Sequence, residues 1–324
     1  MGKKKSLDYA KYGYLFSIPF VVAYLIFSFY PVINTFIIAF TDLRGPGKSD
    51  YKILTDDLFA NFKAVFTNDL FKKAFLNTCK LWICNFIPQM AIALLLTAWF
   101  TDTRSKVRFQ GFFKVVFYMP NIITAATIAI LFSTMFADPI GPMNDLMKTL
   151  GLSKEPIKFL TKPAVAQNIV IFIQTWMWFG YTMITLISGV IGIDPAIFEA
   201  SEMDGANRVQ TFLYITIPCI RTIMLFTLVT SLIGGLNMFD IPKLFITNSG
   251  PDYATYTTSV FIQARAFEGQ YIKNEAAAAS LIMFLIIVIC SAVIFYLLRD
   301  KDEAAAKKLR KQALKQAKLA AKGV

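Results

Sequence analysis

Apolar runs about 18 residues long or longer recur along this chain, and a run of that length crosses a bilayer as a helix. The expectation is an all-α, polytopic membrane protein. Six runs qualify, at about 12–40, 81–100, 115–136, 169–191, 222–239 and 276–298. Composition agrees: 56% of residues are hydrophobic and only 17% are charged, against roughly 25% in soluble domains. The first run follows MGKKK, as a signal sequence would, but it is too long and no small-residue cleavage site follows it. It is read as a retained span.

Charge beside the spans sets their direction. The tail 1–11 carries Lys3, Lys4, Lys5 and Lys11, and the loop after the second span carries Arg104, Lys106, Arg108 and Lys114. The tail 299–324 has nine Lys or Arg against three acids, whereas the outer loop 41–74 has six basic and five acidic residues. Both termini are therefore expected in the cytoplasm, and with them the loop 192–218. The C-terminal tail is rich in helix formers and is expected to extend the last span near anionic headgroups or to end as a solvated helix. The loops at 41–74, 137–168 and 241–275 suit short surface helices more than a further domain.

Several function classes drop out. The chain has no histidine, which removes imidazole proton shuttles, Ser–His catalysis and His-ligated metals. Cys79, Cys84, Cys219 and Cys290 lack CxxC spacing and read as buried small hydrophobes. The net charge of +12 gathers at the termini and beside spans, so it does not indicate nucleic-acid binding. The segment RGPGKS, residues 44–49, ends like a phosphate-binding loop, but Asp42 stands where that motif needs glycine. No ATP site, metal or other cofactor is expected on this chain.

The loop 192–218 is unlike its apolar surroundings. Asp194 followed by Pro195 starts a helix, with a capping carboxylate and a proline at the first turn. Ile197, Phe198 and Ala200 form an apolar side, while Glu199, Glu202 and Asp204 face elsewhere. Gly205 permits a turn with positive φ, and a second helix at 206–215 leads to Pro218. Such a hairpin can dock in a cleft of a cytoplasmic partner, or it can merely connect two spans.

The spacing Glu199-Ala200-Ser201, three residues, Gly205, nine residues, Ile215-Thr216-Ile217-Pro218 resembles the EAA loop of ABC-importer permeases. The triplet Asp204-Gly205-Ala206 matches as well, while Ser201 and Ile217 are mild departures from Ala and Leu. ITNSGPDYAT at 246–255, AFEGQYIKNEAAAAS at 266–280 and YPVINTFIIAFTD at 30–42 are similar to carbohydrate-uptake permeases of the larger maltose-system type. The resemblance implies a type I permease core in a bacterial inner membrane, with the EAA loop docked on an ATPase subunit. It also implies a homologous second permease, two ATPase subunits that bind the ATP, an extracytoplasmic solute-binding protein and a sugar substrate.

A sugar path needs hydroxyl-bonding groups and flat apolar faces. Asn121, Gln174 and Asn237 are costly in lipid unless they face protein or a watery cavity. Trp176, Trp178 and Tyr181 cluster on the fourth span, where they serve either a sugar or an interfacial belt. By the resemblance, pocket positions fall on Phe117 and Asn121, on Gln174, Met177 and Trp178, on Ser231 and, with a one-residue shift, on Asn237. Several of these depart from the maltose pattern, so maltose itself is not implied. Asp240, at the outer end of the fifth span, reads as a water-facing acid more than as an ion-coupling one. An importer for another polar solute, such as a glycerol phosphodiester, stays open, as does a self-contained secondary transporter or channel.

Overall fold

The computed structural model describes residues 10–298 except 103, 105 and 106, with side chains from Tyr12 onward. The expectations for Lys3, Lys4, Lys5, Lys106 and the tail 299–324 lie outside the described residues. Helices α1 (Ala10–Tyr24), α2 (Tyr30–Ile38), α3 (Ala60–Thr67) and α4 (Asp69–Thr101) come first. Then follow α5 (Gln110–Ile122), α6 (Ala125–Met135), α7 (Pro142–Thr149), α8 (Pro163–Ile191) and α9 (Pro195–Met203). The chain continues through α10 (Arg208–Thr211), α11 (Ile217–Cys219), α12 (Arg221–Leu236), α13 (Asp240–Leu244), α14 (Thr258–Phe267) and α15 (Lys273–Leu298). Among the described residues no strand forms, only an isolated bridge between Thr41 and Ile53. This is the all-α architecture expected. Water is absent from a hydrocarbon layer, so each backbone amide must bond within its own segment.

Five helices are long and apolar enough to cross a membrane, and six if α5 and α6 together count as one bent span. That bend departs from the single third span expected at 115–136. α5 and α6 meet at 90°. Ile123 and Thr124 are extended, and the Thr124 hydroxyl accepts the Thr127 amide at 3.3 Å to cap α6. Hydropathy is blind to such a break because both sides are apolar.

Two other irregularities have one cause. π turns at Leu25–Phe29 and Phe212–Thr216 each end two residues before a proline, Pro31 and Pro218. Proline has no amide hydrogen and its ring presses on the carbonyl four residues back, so the preceding turn widens.

The chain divides into two compact units. One comprises residues up to 72 together with 261–284. Its first span, Tyr12–Ile38, buries none of its apolar window within the chain. Its outer part is knit by polar contacts: Asn61 donates to the carbonyls of Ala39 and Thr41, both at 2.8 Å, and accepts from Asn274 at 2.8 Å. Arg44 lies 3.2 Å from Glu275, so the segment 44–49 is an anchored loop with no strand before it.

The other unit comprises 73–260 and 285 onward. Its centre is α8, whose apolar window is 56% buried. Leu81, Ile128 and Phe245 cluster with its Val170 and Ile173, and toward the other end Ala93 and Ile220 cluster with its Met183 and Leu186. In lipid, helix association relies on close packing and interhelical hydrogen bonds. Gly180 supplies the first, since a Cβ there would stand 1.9 Å from the Phe117 carbonyl oxygen on α5. Gln89 supplies the second, donating to Thr182 at 2.8 Å between α4 and α8. The four cysteines are free; Cys84 and Cys219 are exposed on the chain's surface, contrary to the expectation of burial, and Cys79 and Cys290 are partly buried.

Candidate functional site

Within the second unit a cavity of about 300 Å³ opens between α4, α8 and α12, with Asp240 and Ile241 of α13 also in its lining. Each helix contributes at helical spacing. α4 provides Trp82, Asn85 and Gln89; α8 provides Gln174, Met177, Trp178, Tyr181 and Thr182; α12 provides Thr227, Thr230, Ser231, Gly234 and Gly235. Residues three and four apart share a helix face, so three such stripes meet as one wall. The wall is pre-ordered. The Trp178 indole donates to Gln174 Oε1 at 3.2 Å and the Trp82 indole donates to Ser231 Oγ at 3.3 Å. Gly235 makes room for Trp82: a Cβ there would stand 2.0 Å from the indole Cδ1.

Of the seven pocket residues expected from the sequence, Gln174, Met177, Trp178, Ser231 and Asn237 line this cavity. Phe117 and Asn121 do not. Phe117 packs its ring against Phe100, Phe113 and Phe179 with centroids 5.8–6.3 Å apart, because Gly180 draws α5 tightly onto α8 and turns this face into the helix crossing. Trp176 likewise packs on Phe132 at 5.7 Å. Trp82, Asn85, Gln89, Thr227 and Thr230 were missed. Their signal was the 3–4 spacing of polar residues within apolar runs.

The loop beyond α8 is built by local rules. Asp194 accepts the Ala196 amide at 3.0 Å, and Pro195 opens α9. Phe198 packs into the core beneath, beside Met183 and Leu186. Ser201 is buried under it, and its hydroxyl is satisfied by the Phe198 carbonyl at 2.7 Å. Glu199, Ala200, Glu202, Met203 and Asp204 are exposed, Met203 at 89%. Gly205 has φ +76 and ends α9. Its amide bonds to the Glu202 carbonyl at 3.1 Å and the Ala206 amide bonds to the Ser201 carbonyl at 3.0 Å. That pair is the Schellman closure of a helix.

The second helix of the loop starts at Arg208, later than the expected 206, because Asn207 and Gln210 form a reciprocal capping box. Pro218 sits in α11 after the π turn. The loop is held to the α4–α5 connection by Arg104, which reaches Glu202 at 3.1 Å and the Ala206 carbonyl at 2.8 Å. Arg208 reaches Asp102 at 3.2 Å. Glu202 is the acid that Arg104 holds, while Glu199 lies exposed on the outward face of α9.

Comparison with known proteins fits this geometry. Residues 59–301 match the family described as binding-protein-dependent transport system inner membrane component. The lactose transport system permease protein LacF of Rhizobium radiobacter is 30% identical, over 79% of this chain and 83% of that protein. The arabinooligosaccharides transport system permease protein AraP of Bacillus subtilis (strain 168) is 27% identical, over 76% of each. A chain in the crystal structure of a bacterial ABC transporter involved in the import of the acidic polysaccharide alginate shares the fold, with a TM-score of 0.75 and 24% identity over 90% of this chain and 97% of that one. With three quarters of its length matched and its apolar helices in place, this chain belongs to the family of inner membrane components of binding-protein-dependent transport systems.

Proposed function

We propose that this chain is one of two permease subunits of an ATP-driven importer that takes a sugar or oligosaccharide from an extracytoplasmic solute-binding protein into the cytoplasm. One observation carries the reading. α8 contributes Gln174, Met177, Trp178 and Tyr181 to the cavity wall and ends at Ile191, three residues before Asp194 caps the exposed loop. A push on the loop therefore reaches the cavity along a single helix.

The chemistry of the wall favours a neutral sugar. Amide and hydroxyl groups suit sugar hydroxyls, and the indole faces of Trp82 and Trp178 suit the apolar faces of sugar rings. The lactose and arabinooligosaccharide relatives support that class. Among the described residues lining the cavity Asp240 is the sole charged one, and no Lys or Arg is present. A phosphodiester would find no counter-charge there, whereas anion sites rely on charge-assisted bonds. This argues against the glycerol phosphodiester alternative.

The outward face of the loop, with Glu199, Met203 and Asp204, is the surface offered to a cytoplasmic ATPase. Gly205 shapes it, and Ala200, Ser201, Ala206 and Pro218 frame it. Two ATPase subunits need two such surfaces, and this chain has one. An asymmetric sugar needs different contacts on its two sides, so the second permease is a homologue. The basic residues beside the spans favour both termini of this chain in the cytoplasm with the loop.

The test is purification from native membranes through a tag on this chain, followed by reconstitution and uptake of labelled lactose and arabinotriose. The expected complex holds one copy of this chain, one homologous permease and two ATPase subunits, and it takes up sugar only with ATP and the binding protein. Uptake by this chain alone would establish a secondary transporter. Recovery of two copies of this chain without a second permease would refute the heterodimer.

A further inference from the structure

We propose that Asp102 and Arg104 tie the docking loop to α4, so that a push on the loop moves two walls of the cavity together. This rests on the reading of the loop as the ATPase-docking surface. The connection from α9 to α8 is covalent, through residues 192–194. Nothing comparable in sequence links the loop to α4, which carries Trp82, Asn85 and Gln89 into the same cavity. Phe198 of the loop packs on the apolar cluster that includes Ala93 and Phe100 of α4, and the directional link is made by charge.

α4 ends at Thr101, and the next residues supply one acid and one base, Asp102 and Arg104. The loop supplies the complementary base and acid, Arg208 and Glu202. The pairs bracket Gly205: Arg104 Nε meets Glu202 Oε1 at 3.1 Å on one side, and Arg208 Nε meets Asp102 Oδ2 at 3.2 Å on the other. Arg104 Nη2 also donates to the Ala206 carbonyl at 2.8 Å, immediately after the turn. One guanidinium thus holds both the end of α9 and the residue that follows Gly205. Only a planar fork spans two such acceptors, so lysine is a poor replacement. Singly, an exposed ion pair contributes little. Here two pairs and a carbonyl bond act on one seven-residue turn, 202–208, and the Asp102 side chain is only 17% exposed. Asp102 and Arg104 are positioning residues: they face neither the cavity nor the outward face of α9.

The experiment uses the purified importer with both permeases and the ATPase subunits, with the four native cysteines replaced by serine. Two reporters are made separately, Trp82→Cys on α4 and Tyr181→Cys on α8, and labelled with a fluorescent maleimide. Labelling rates are compared between the nucleotide-free state and the vanadate-trapped state, so no sugar need be identified. With Arg104 intact, both reporters change rate between states. With Arg104→Ala, the α4 reporter is expected to lose its state difference by about fivefold, the lower range of an allosteric coupling. The α8 reporter keeps its response, and the ATPase still co-purifies. The charge swap Arg104→Glu with Glu202→Arg restores part of the α4 response, while each reversal alone does not. An unchanged α4 reporter in Arg104→Ala overturns the proposal, as does equal loss at both reporters or a swap no better than the single reversals. If neither reporter responds with Arg104 intact, the docking reading itself fails and this inference falls with it.

Discussion

Replacing Gly205 by valine isolates what the loop's shape contributes. Gly205 has φ +76, and a Cβ built there meets no atom within 4 Å. Space is therefore not the obstacle; the backbone is. An L-residue in the left-handed region costs about 1–2 kcal/mol, and a β-branched side chain is an outlier there. At 1.4 kcal/mol per factor of ten, the native turn becomes about tenfold less populated against its alternatives. Leaving the left-handed conformation breaks the two closing bonds, from Gly205 to the Glu202 carbonyl and from Ala206 to the Ser201 carbonyl. It also moves the Ala206 carbonyl away from Arg104. The assay is sugar taken up per ATP hydrolysed in liposomes holding the full importer, with the yield of assembled complex as control. Asparagine tolerates this conformation and serves as the comparison. The expected order is Gly, then Asn, then Ala, then Val, at constant yield. Wild-type coupling in Gly205→Val would make the loop a mere connector. A Gly205→Asn variant as poor as Gly205→Val would shift the cause from backbone strain to surface fit.

Trp178→Ala and Gln174→Ala are each expected to lower uptake while complex yield and basal ATP hydrolysis hold, because each removes a cavity contact and breaks the 3.2 Å bond between them; equal loss of assembled complex would mark both as packing. Gly180→Ala is expected to destabilise the chain by about 3 kcal/mol, the range of an overpacked core, since a Cβ 1.9 Å from the Phe117 carbonyl oxygen forces α5 off α8. Thermal unfolding in detergent measures it, with Gly111→Ala on the open side of α5 as control, and equal melting of the two variants would contradict the crossing.

The sequence alone determined the class and the local shapes, because both follow from short-range physics. Runs that must satisfy their own amides in lipid become helices wherever they lie, so the all-α class was legible, although α4 begins at Asp69, well before the expected 81. The turn at Gly205 and the cap at Asp194 depend on neighbours within six residues, and the spacing of residues 199–218 carried them. The 90° break between α5 and α6 was not legible, since Ile122, Ile123 and Thr124 read as one more stretch of an apolar run. Phe117 could be counted to a pocket position, but the close approach at Gly180 decided that its ring faces the helix crossing. The cavity's polar stripes on α4, α8 and α12 were each present as a period, yet nothing local says which three stripes face one another. The same holds for Arg104, which meets Glu202 and Ala206 across 98 and 102 residues of chain. Only the packing of α4 and α5 beside α8 brings those charges together, and that packing rests on small residues and buried amides whose partners are chosen in three dimensions.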